Sequence, residues 1–573
     1  MASSRINRRQ LLSGSAALLG AAGSLTREAL GESQASAAKS DSHGPSVNAA
    51  SNAAVVTTTA GEVGGYVRHG IYTFKGIPYG GDTSGANRFQ PPHPPKPWTG
   101  VRSSRQYGPL APQKARVGAG DNDEEAFMMN WNDDVARVYG PSASEDCLRV
   151  NLWTPAPDNA KRPVMVWLHG GGFSAGSGNE QAGYDGENLA RQGDVVVVSL
   201  NHRLNVLGYL NLAAFGDRYA DSANVGMLDL VLALKWVRDN IARFGGDPGC
   251  VTIFGQSGGG GKVGALMAMP AAQGLFHRAI VESGSMLRAG TQEGSTAYTK
   301  LILAELNLGP NDLDQLQTMP WQQLIDASDR ALHKPTGDGP VTTPPGHTAA
   351  RPGFSPVVDG RNLPAHPFDP TAPAMSADMP MIVGTTLNEF TTALNHPELE
   401  RMTDAEMRAK VTALYGAEKM PAMVTAFRAR TPAANPFELW SRIATAPVRE
   451  NAIKQCTAKA ALGKAPAYLY WFTWQTPILD GRPMAFHCSE ISFVFRNTDV
   501  CDTMTGGGPD ARALSETMSS AWVQFARTGD PNHAGMAKWE PFSTAAVPTM
   551  IFDNQVRLER HPDQAEQESL RHS

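Results

Sequence analysis

Five short runs of apolar residues recur along this chain, and they constrain its fold more than any other feature. The runs are residues 164–169, 194–200, 251–254, 279–283 and 380–384, and each is continuous rather than alternating. Continuous runs of this length are typical of strands buried on both faces of a parallel sheet. Helical patterns lie between them, most clearly over residues 228–241. This alternation predicts an α/β fold, in which ligands bind beyond the carboxyl ends of the strands.

Charge and composition exclude several classes of partner. The 573 residues are 41% hydrophobic and carry a formal net charge of −5. Nothing electrostatic therefore favours binding to nucleic acid or to an anionic membrane surface. No apolar run after the N-terminal region is long enough for a membrane span. Residues 53–573 contain no clear linker, so we expect one domain in which the helical segments 295–345 and 400–465 cap the sheet.

The N-terminal region has the three parts of an export signal. Arg8 and Arg9 precede the mild apolar run 11–25, and the small-residue site Ala35-Ser36-Ala37 follows. Paired arginines are typical of the twin-arginine type of bacterial signal. We therefore predict a signal peptide over residues 1–37 and a periplasmic or extracellular protein. Residues 38–52 are rich in serine, alanine and asparagine and predict a flexible lead-in.

The sequence GQSGG at residues 255–259 fits the pattern G-x-S-x-G. A strand pattern precedes it and a helical pattern follows it, which is the context in which a serine stands on a sharp, strained turn. The absence of side chains at Gly255 and Gly259 permits so tight a turn. Ser257 is therefore the candidate nucleophile.

A serine hydroxyl needs an adjacent base to react at neutral pH. Where the nucleophile lies on such a turn, an acid and then a histidine follow in the chain. His487 follows the strand pattern at residues 467–474, and Glu389 follows the apolar run 380–384. From position alone, a hydrogen-bonded structural histidine is an equal alternative for His487, and a surface carboxylate is the favoured interpretation of Glu389.

Consecutive glycines follow another of the apolar runs, in HGGGF at residues 169–173. Bare backbone N–H groups at such a place can bind the negatively charged oxygen of a tetrahedral intermediate. The candidate donors are Gly171, Gly172 and the residue after the nucleophile, Gly258. A merely mobile glycine loop is the alternative interpretation.

The chain resembles the type-B carboxylesterases, the α/β-hydrolase family that includes cholinesterases and bacterial p-nitrobenzyl esterases. The resemblance runs from about residue 55 to 555 and rests on FKGIPY (74–79), RFQPP (88–92), SEDCLRVNLW (144–153), HGGGF (169–173), NHRLNVLGYL (201–210), FGGDP (244–248), GQSGGG (255–260) and WVQFARTGDPN (522–532). It implies an α/β-hydrolase fold with a large, mostly parallel sheet, and it makes Glu389 and His487 the catalytic acid and base. It further implies an ion pair between Arg88 and Glu145.

Four positions depart from the family pattern around the implied triad. Gln256 replaces the usual glutamate, Gly258 the usual alanine, and Phe390 and Cys488 the usual glycines. The loss of a carboxylate at Gln256 argues against a cationic substrate. The bulk of Phe390 and Cys488 is expected to reshape the pocket.

Cysteines and one further serine complete the comparison with the family. The segment 111–113 lacks the cysteine that would pair with Cys147, and a short disulfide between Cys488 and Cys501 is possible. Ser283 falls where the family has a buried serine near the active site, so we expect it, like Gln256, to support the triad through hydrogen bonds.

The sequence therefore predicts an exported serine hydrolase that cleaves small carboxylic esters through an acyl-enzyme, with no cofactor and no metal. Amide or carbamate hydrolysis by the same triad is the alternative. A non-catalytic recognition protein on this fold is a further alternative, which the complete triad disfavours. The sequence contains no signal for an oligomeric state.

Overall fold

The computed structural model describes residues 47–48, 54–114, 128, 143–333, 353–390, 392–394 and 396–571. Its strands are β1 Val47–Asn48, β2 Val55–Thr57, β3 Glu62–Gly64, β4 Tyr66–Arg68, β5 Ile71–Pro78, β6 Val101–Ser103, β7 Arg149–Thr154, β8 Arg162–Leu168, β9 Val196–Leu200, β10 Gly246–Gln256, β11 Arg278–Glu282, β12 Met381–Thr386, β13 Ala467–Phe472, β14 Pro548–Phe552 and β15 Arg557–Arg560. Its α-helices are α1 Glu187–Gly193, α2 Asn205–Tyr209, α3 Val225–Asn240, α4 Gly258–Met267, α5 Gln292–Glu305, α6 Gln315–Thr318, α7 Trp321–Leu332, α8 Asp404–Tyr415, α9 Met420–Arg430, α10 Pro436–Ala460, α11 Ile491–Val494, α12 Asp502–Thr505, α13 Pro509–Thr528 and α14 Gln564–Arg571.

A twelve-stranded sheet lies at the centre, in the order β1-β4-β5-β7-β9-β8-β10-β11-β12-β13-β14-β15. Neighbours from β9 through β14 are parallel, whereas the pairs toward both edges are antiparallel. The predicted large, mostly parallel sheet flanked by helices is confirmed, with six of the eleven described strand pairs in this sheet parallel. The five apolar runs form the consecutive strands β9, β8, β10, β11 and β12.

Alternate residues of each central strand belong to two separate apolar cores. Val164 and Val166 of β8 pack in the core that contains α3 and α4, whereas Met165 and Trp167 pack in the core that contains α13. Because helices cover both faces, the Val, Ile, Leu, Met, Phe and Trp side chains of β8 to β12 are buried, and the sequence shows no polar alternation. The sheet is therefore a rigid platform whose carboxyl edge is available for a site.

The helical segments after β11 and β12 form small cores of their own. Helices α5 and α7 pack in one apolar cluster, and α8, α9 and the first half of α10 pack in another. These agree with the predicted helical segments 295–345 and 400–465, although residues 334–352 lie outside the described part of the chain.

The described residues from Val47 onward group as one compact unit. The predicted signal peptide, and the lead-in apart from β1, lie outside the described residues. Within the described part of the chain, no helix is both long and apolar enough to cross a membrane.

The structure tests the expected cysteine pairings and the expected ion pair between Arg88 and Glu145. None of the five cysteines, all of which lie in described ranges, forms a disulfide, so the Cys488–Cys501 disulfide is absent and Cys147 is not disulfide-bonded. The thiol of Cys488 instead donates to the Gln256 side chain, and Cys501 is buried. The expected ion pair is present, because the buried Arg88 guanidinium donates two hydrogen bonds to the Glu145 carboxylate.

Candidate active site

Ser257 occupies the turn between β10 and α4. Its backbone has φ 58° and ψ −124°, a strained conformation for a residue with a side chain. A Cβ atom placed on Gly259 would lie 1.9 Å from the carbonyl oxygen of Leu168 at the end of β8. Glycine is therefore required at this position for the helix to leave the sheet so closely. The turn presents the Ser257 side chain at the carboxyl edge of the sheet.

Glu389 and His487 meet at the same edge. The imidazole Nδ1 lies 2.5 Å from Glu389 Oε2, and the backbone N–H of His487 donates to the carbonyl of Glu389 at 2.8 Å. The carboxylate is buried, and its Oε1 accepts the backbone N–H of Thr386 at 2.9 Å. A proton held on Nδ1 by this carboxylate leaves Nε2 as the acceptor, which is the form a general base needs.

The serine and the histidine face a common cavity without a direct hydrogen bond. Among the described residues, the hydroxyl of Ser257 makes none to His487, and the Gln256 amide nitrogen lies 3.1 Å from His487 Nε2. Catalytic hydrogen bonds are often long in free enzymes and tighten in the complex with substrate.

The glycine loop lies against the nucleophile turn. Gly171 and Gly172 have positive φ values of 78° and 63°. No acceptor for their N–H groups occurs within the part of the chain that the structure describes. A Cβ atom on Gly258 would lie 2.3 Å from the Gly172 carbonyl oxygen, so this loop and the start of α4 are in close backbone contact. The three candidate donors are thus neighbours, and the alanine usual after the nucleophile would not fit here.

A cavity of about 550 Å³ connects these groups. Its walls include Met128, Gly170, Gly171, Gly172, Glu180, Gln181, Tyr184, Gln256, Ser257, Glu389, Phe390, Thr392, Leu394, His396, Phe486, His487 and Cys488. Its mixture of apolar surface and a few converging polar groups is typical of a small-molecule site. No cluster of three or more metal-ligating side chains occurs in the described ranges.

Comparison with known proteins agrees with this geometry. The family model described as "Carboxylesterase family" matches residues 52–570. The chain belongs to the carboxylesterase family. It is a carboxylic ester hydrolase, and the resemblance noted in the sequence is confirmed.

Relatives of this carboxylesterase cover almost the whole chain. The para-nitrobenzyl esterase of Bacillus subtilis is 34% identical over 90% of this chain and 98% of its own length. The phenmedipham hydrolase of Pseudarthrobacter oxydans is 34% identical over 85% of this chain and 92% of its own. A solved carboxylesterase from Geobacillus stearothermophilus has a TM-score of 0.73 at 34% identity, covering 90% of this chain and 100% of that one. The α/β-hydrolase fold is therefore confirmed.

Three of the family departures converge on the imidazole of this carboxylesterase. The Cys488 thiol donates to Gln256 Oε1 at 3.1 Å, while the amide nitrogen of Gln256 contacts His487. The ring of Phe390, which is 49% exposed, lies over the His487 ring with 3.7 Å between the centroids. The bulk of Phe390 thus lies against the base, that of Cys488 lies against Gln256, and both side chains form part of the cavity wall.

Ser283 lies beneath the site and contacts a buried acid. Its hydroxyl donates to Glu490 Oε1 at 3.4 Å, as does the hydroxyl of Tyr470. Burial, reinforced by the charges of Glu282 and Glu389, raises the pKa of Glu490 to about 8. Burial likewise raises the pKa of Glu282, which accepts the Trp522 indole N–H, to about 8. These acids are therefore neutral over much of the acidic range.

Several groups of the site carry little signal in the sequence. Glu180 and Tyr184 line the cavity and share a 3.2 Å hydrogen bond, so a carboxylate is present there despite the neutral Gln256. Lys262 is fully buried beside the glycine loop, although a lysine in a helical pattern is ordinarily exposed. One sequence feature hints at this burial, namely that Lys262 directly follows four glycines.

Proposed function

We propose that this carboxylesterase works through a triad of Ser257, His487 and Glu389, with the N–H groups of Gly171, Gly172 and Gly258 as the oxyanion hole. The observation that carries the proposal is the 2.5 Å contact between Glu389 and His487 on the cavity that also holds Ser257. The N–H groups of Gly171 and Gly172 support it, since they have no acceptor among the described residues and adjoin the nucleophile turn.

The reaction has two halves. The Ser257 hydroxyl attacks the ester carbonyl while His487 Nε2 accepts its proton, and the resulting oxyanion is bound by the glycine N–H groups. His487 then gives the proton to the departing alkoxide, which leaves an acyl-enzyme. In the second half, His487 activates a water molecule that releases the acid. Glu389 keeps the imidazole in the required tautomer and stabilises its charged form throughout.

Labelling with a fluorophosphonate tests the nucleophile. The probe should phosphonylate Ser257, as mapped by peptide mass spectrometry, and Ser257→Ala should lose both labelling and turnover by at least about 10³-fold. Labelling at another serine, or turnover retained by the alanine variant, would contradict the proposal.

A matched pair of substitutions tests the acid, because Glu389 and Glu490 are both buried near His487. Glu389→Gln removes the acceptor of the Nδ1 proton and should lower kcat by about 10³- to 10⁴-fold, since the tautomer is no longer fixed. Glu490→Gln keeps a neutral group where the acid is already largely protonated, and it should cost far less. The reverse order would show that Glu490 is the catalytic acid.

We propose small neutral carboxylic esters as substrates. Gln256 supplies no charge beside the base, and the cavity of about 550 Å³ suits a small molecule. A panel of p-nitrophenyl esters of increasing acyl length, with a trimethylammonium ester, an anilide and a carbamate, tests this choice. Preference for the anilide or the carbamate would favour the alternative amidase or carbamate hydrolase, and preference for the charged ester would assign a larger role to Glu180.

We also propose export by a twin-arginine signal over residues 1–37, followed by the lead-in 38–52 and a single hydrolase domain over 53–573. The order of charged, apolar and small residues supports it. Replacing Arg8 and Arg9 together by lysine should leave activity in the cytoplasmic fraction, whereas the native chain should be found outside it with a new N-terminus near residue 38. Unchanged fractionation would overturn the proposal.

A further inference from the structure

Lys262 is a buried cation that the proposed mechanism does not use. It is the fifth residue of α4, one helical turn beyond Gly258, and residues four apart lie on the same face of a helix. That face is directed at the glycine loop, residues 169–173, against which Gly258 already packs. The side chain is fully buried, and within the described ranges no carboxylate lies within ion-pair distance of it.

The amine is bound by the glycine loop itself. Lys262 Nζ donates to the carbonyl oxygens of His169 and Gly172 at 2.9 Å, with Gly170 O at 3.5 Å. Burial lowers the pKa of Lys262 to about 7, an effect that Glu180 opposes. An amine in either protonation state has at least two N–H bonds, so both short contacts persist when it loses its proton.

The two short contacts bracket the peptides that carry the N–H groups of Gly171 and Gly172, because the bound carbonyls of His169 and Gly172 belong to the peptides on either side. In a planar trans peptide, the carbonyl and the following N–H point in opposite directions. The Gly170 carbonyl faces Lys262 and His169 Nδ1, and the Gly171 carbonyl accepts the N–H groups of Ser174 and Ala175. Both carbonyls are thereby held, and the N–H groups of Gly171 and Gly172 are fixed on the opposite side of their peptides.

We infer that Lys262 is a positioning residue for the oxyanion hole. By binding the carbonyls of His169 and Gly172, it holds both ends of the segment between them, so that the N–H groups of Gly171 and Gly172 stay directed at the oxygen formed on attack by Ser257. This inference rests on the proposed function. Helix α4 then has two roles. It begins directly after the nucleophile Ser257, and its residue Lys262 fixes the oxyanion donors of the glycine loop. Donors of this kind accelerate a reaction because they need no reorganisation as charge develops.

Replacing Lys262 by methionine tests the inference, because methionine has a similar length but no donor. We expect kcat to fall about 10²-fold, near the loss of one oxyanion donor, with KM changed less than about threefold. The affinity for a trifluoromethyl ketone, which Ser257 converts to an oxyanion, should fall by the same factor as kcat. Active enzyme is counted by fluorophosphonate titration.

Lys459 is the matched control. It is also fully buried and donates to backbone carbonyls, those of Ala377 and Ala465, but it lies near the end of α10, away from the cavity. Lys459→Met should lower the melting temperature and leave kcat unchanged. Equal loss of kcat in both variants, a rise in KM alone, or full activity in Lys262→Met would overturn the inference.

Two further variants separate the possible failures. If Lys262→Met does not fold, Lys262→Gln serves in its place, with a loss of at least about tenfold in kcat expected because its amide reaches fewer carbonyls. Full activity in that variant would equally overturn the inference. Ser257→Ala is measured in parallel. If it is inactive while the Lys262 variants are fully active, only the role of Lys262 fails, whereas activity in Ser257→Ala would refute the proposed function itself.

Discussion

At the residue scale, Gln256 is the side chain that most distinguishes this site. It is buried directly before Ser257, and its amide contacts the base on one side and the Cys488 thiol on the other. A neutral amide there leaves the imidazole, within the described ranges, with one close carboxylate, that of Glu389.

Gln256→Glu should move the acidic limb of the activity profile to higher pH. A second carboxylate beside His487 stabilises the imidazolium and raises its pKa, so the base becomes neutral only at higher pH. We expect an upward displacement of about one pH unit in kcat/KM plotted against pH.

Gln181→Glu is the control for that experiment, since Gln181 lines the same cavity but has no contact with the imidazole among the described residues. It should displace the limb much less. An unmoved limb in Gln256→Glu, or equal shifts in the two variants, would contradict the assignment of His487 as the base.

The sequence predicts these residues unequally. Ser257 could be identified from its own turn, because the strand, the glycines and the helix are all local. Glu389 and His487 needed the family resemblance, since a carboxylate and a histidine in loops have no local signature. The contact between Gln256 and Cys488 could not be predicted, because it joins residues 232 positions apart through the folded sheet.

At the element scale, the start of α4 depends on its glycines to very different degrees. Gly259 faces the backbone of Leu168, whereas a Cβ atom on Gly261 would meet only the Met286 methyl group at 3.2 Å and the Phe173 ring at 3.5 Å. The first neighbour is fixed in the sheet, and the second is the end of a flexible side chain. Glycine is therefore required at Gly258 and Gly259, whereas at Gly261 it is not.

Gly259→Ala should destabilise the protein by more than about 3 kcal/mol and abolish turnover, because a backbone atom must move. Gly261→Ala, on the same helix, should change stability by no more than about 1 kcal/mol, since alanine favours helix and a methyl group can shift. Urea unfolding curves and esterase assays on both variants check this. Similar stability of the two would contradict the close approach of α4 to β8.

Helix and strand positions were largely predictable, because burial on both faces imposes continuous apolar runs. The spatial order of the strands was not predictable. Strand β8 lies between β9 and β10 in the sheet, although β9 comes between β8 and β10 in the chain, and no local pattern encodes this order. The burial of Lys262 could not be predicted either, because the helical pattern gives a lysine no reason to face inward.

At the scale of the whole molecule, acids buried beneath the site make stability depend on pH. Within the described part of the chain, one carboxyl oxygen each of Glu282 and Glu490 has no hydrogen-bond partner. Both pKa values are raised from 4.5 to about 8. Between pH 4.5 and pH 8 the folded chain binds more protons than the unfolded chain. The stabilisation that these two acids contribute is therefore complete below about pH 4.5 and is lost as the pH rises through 8.

Glu490→Gln should therefore flatten the decline of stability between pH 5 and pH 8.5. The amide cannot ionise, so the variant should gain more than about 1.4 kcal/mol, the equivalent of one pKa unit, relative to the native chain at the upper end. Chemical denaturation at several pH values measures the difference. A parallel displacement of the two curves, with no change of slope, would show that the acid is already ionised in the folded state.

The candidate site joins four segments that are far apart in the chain, at residues 169–173, 256–258, 389 and 487, each placed by a different strand of the sheet. Contacts of such high sequence separation form late in folding, because the loops between them must close first. In refolding from denaturant, helical signal should therefore return before esterase activity. Turnover of an ester is thus a measure of completed folding in this chain, and a partly folded species would be catalytically silent.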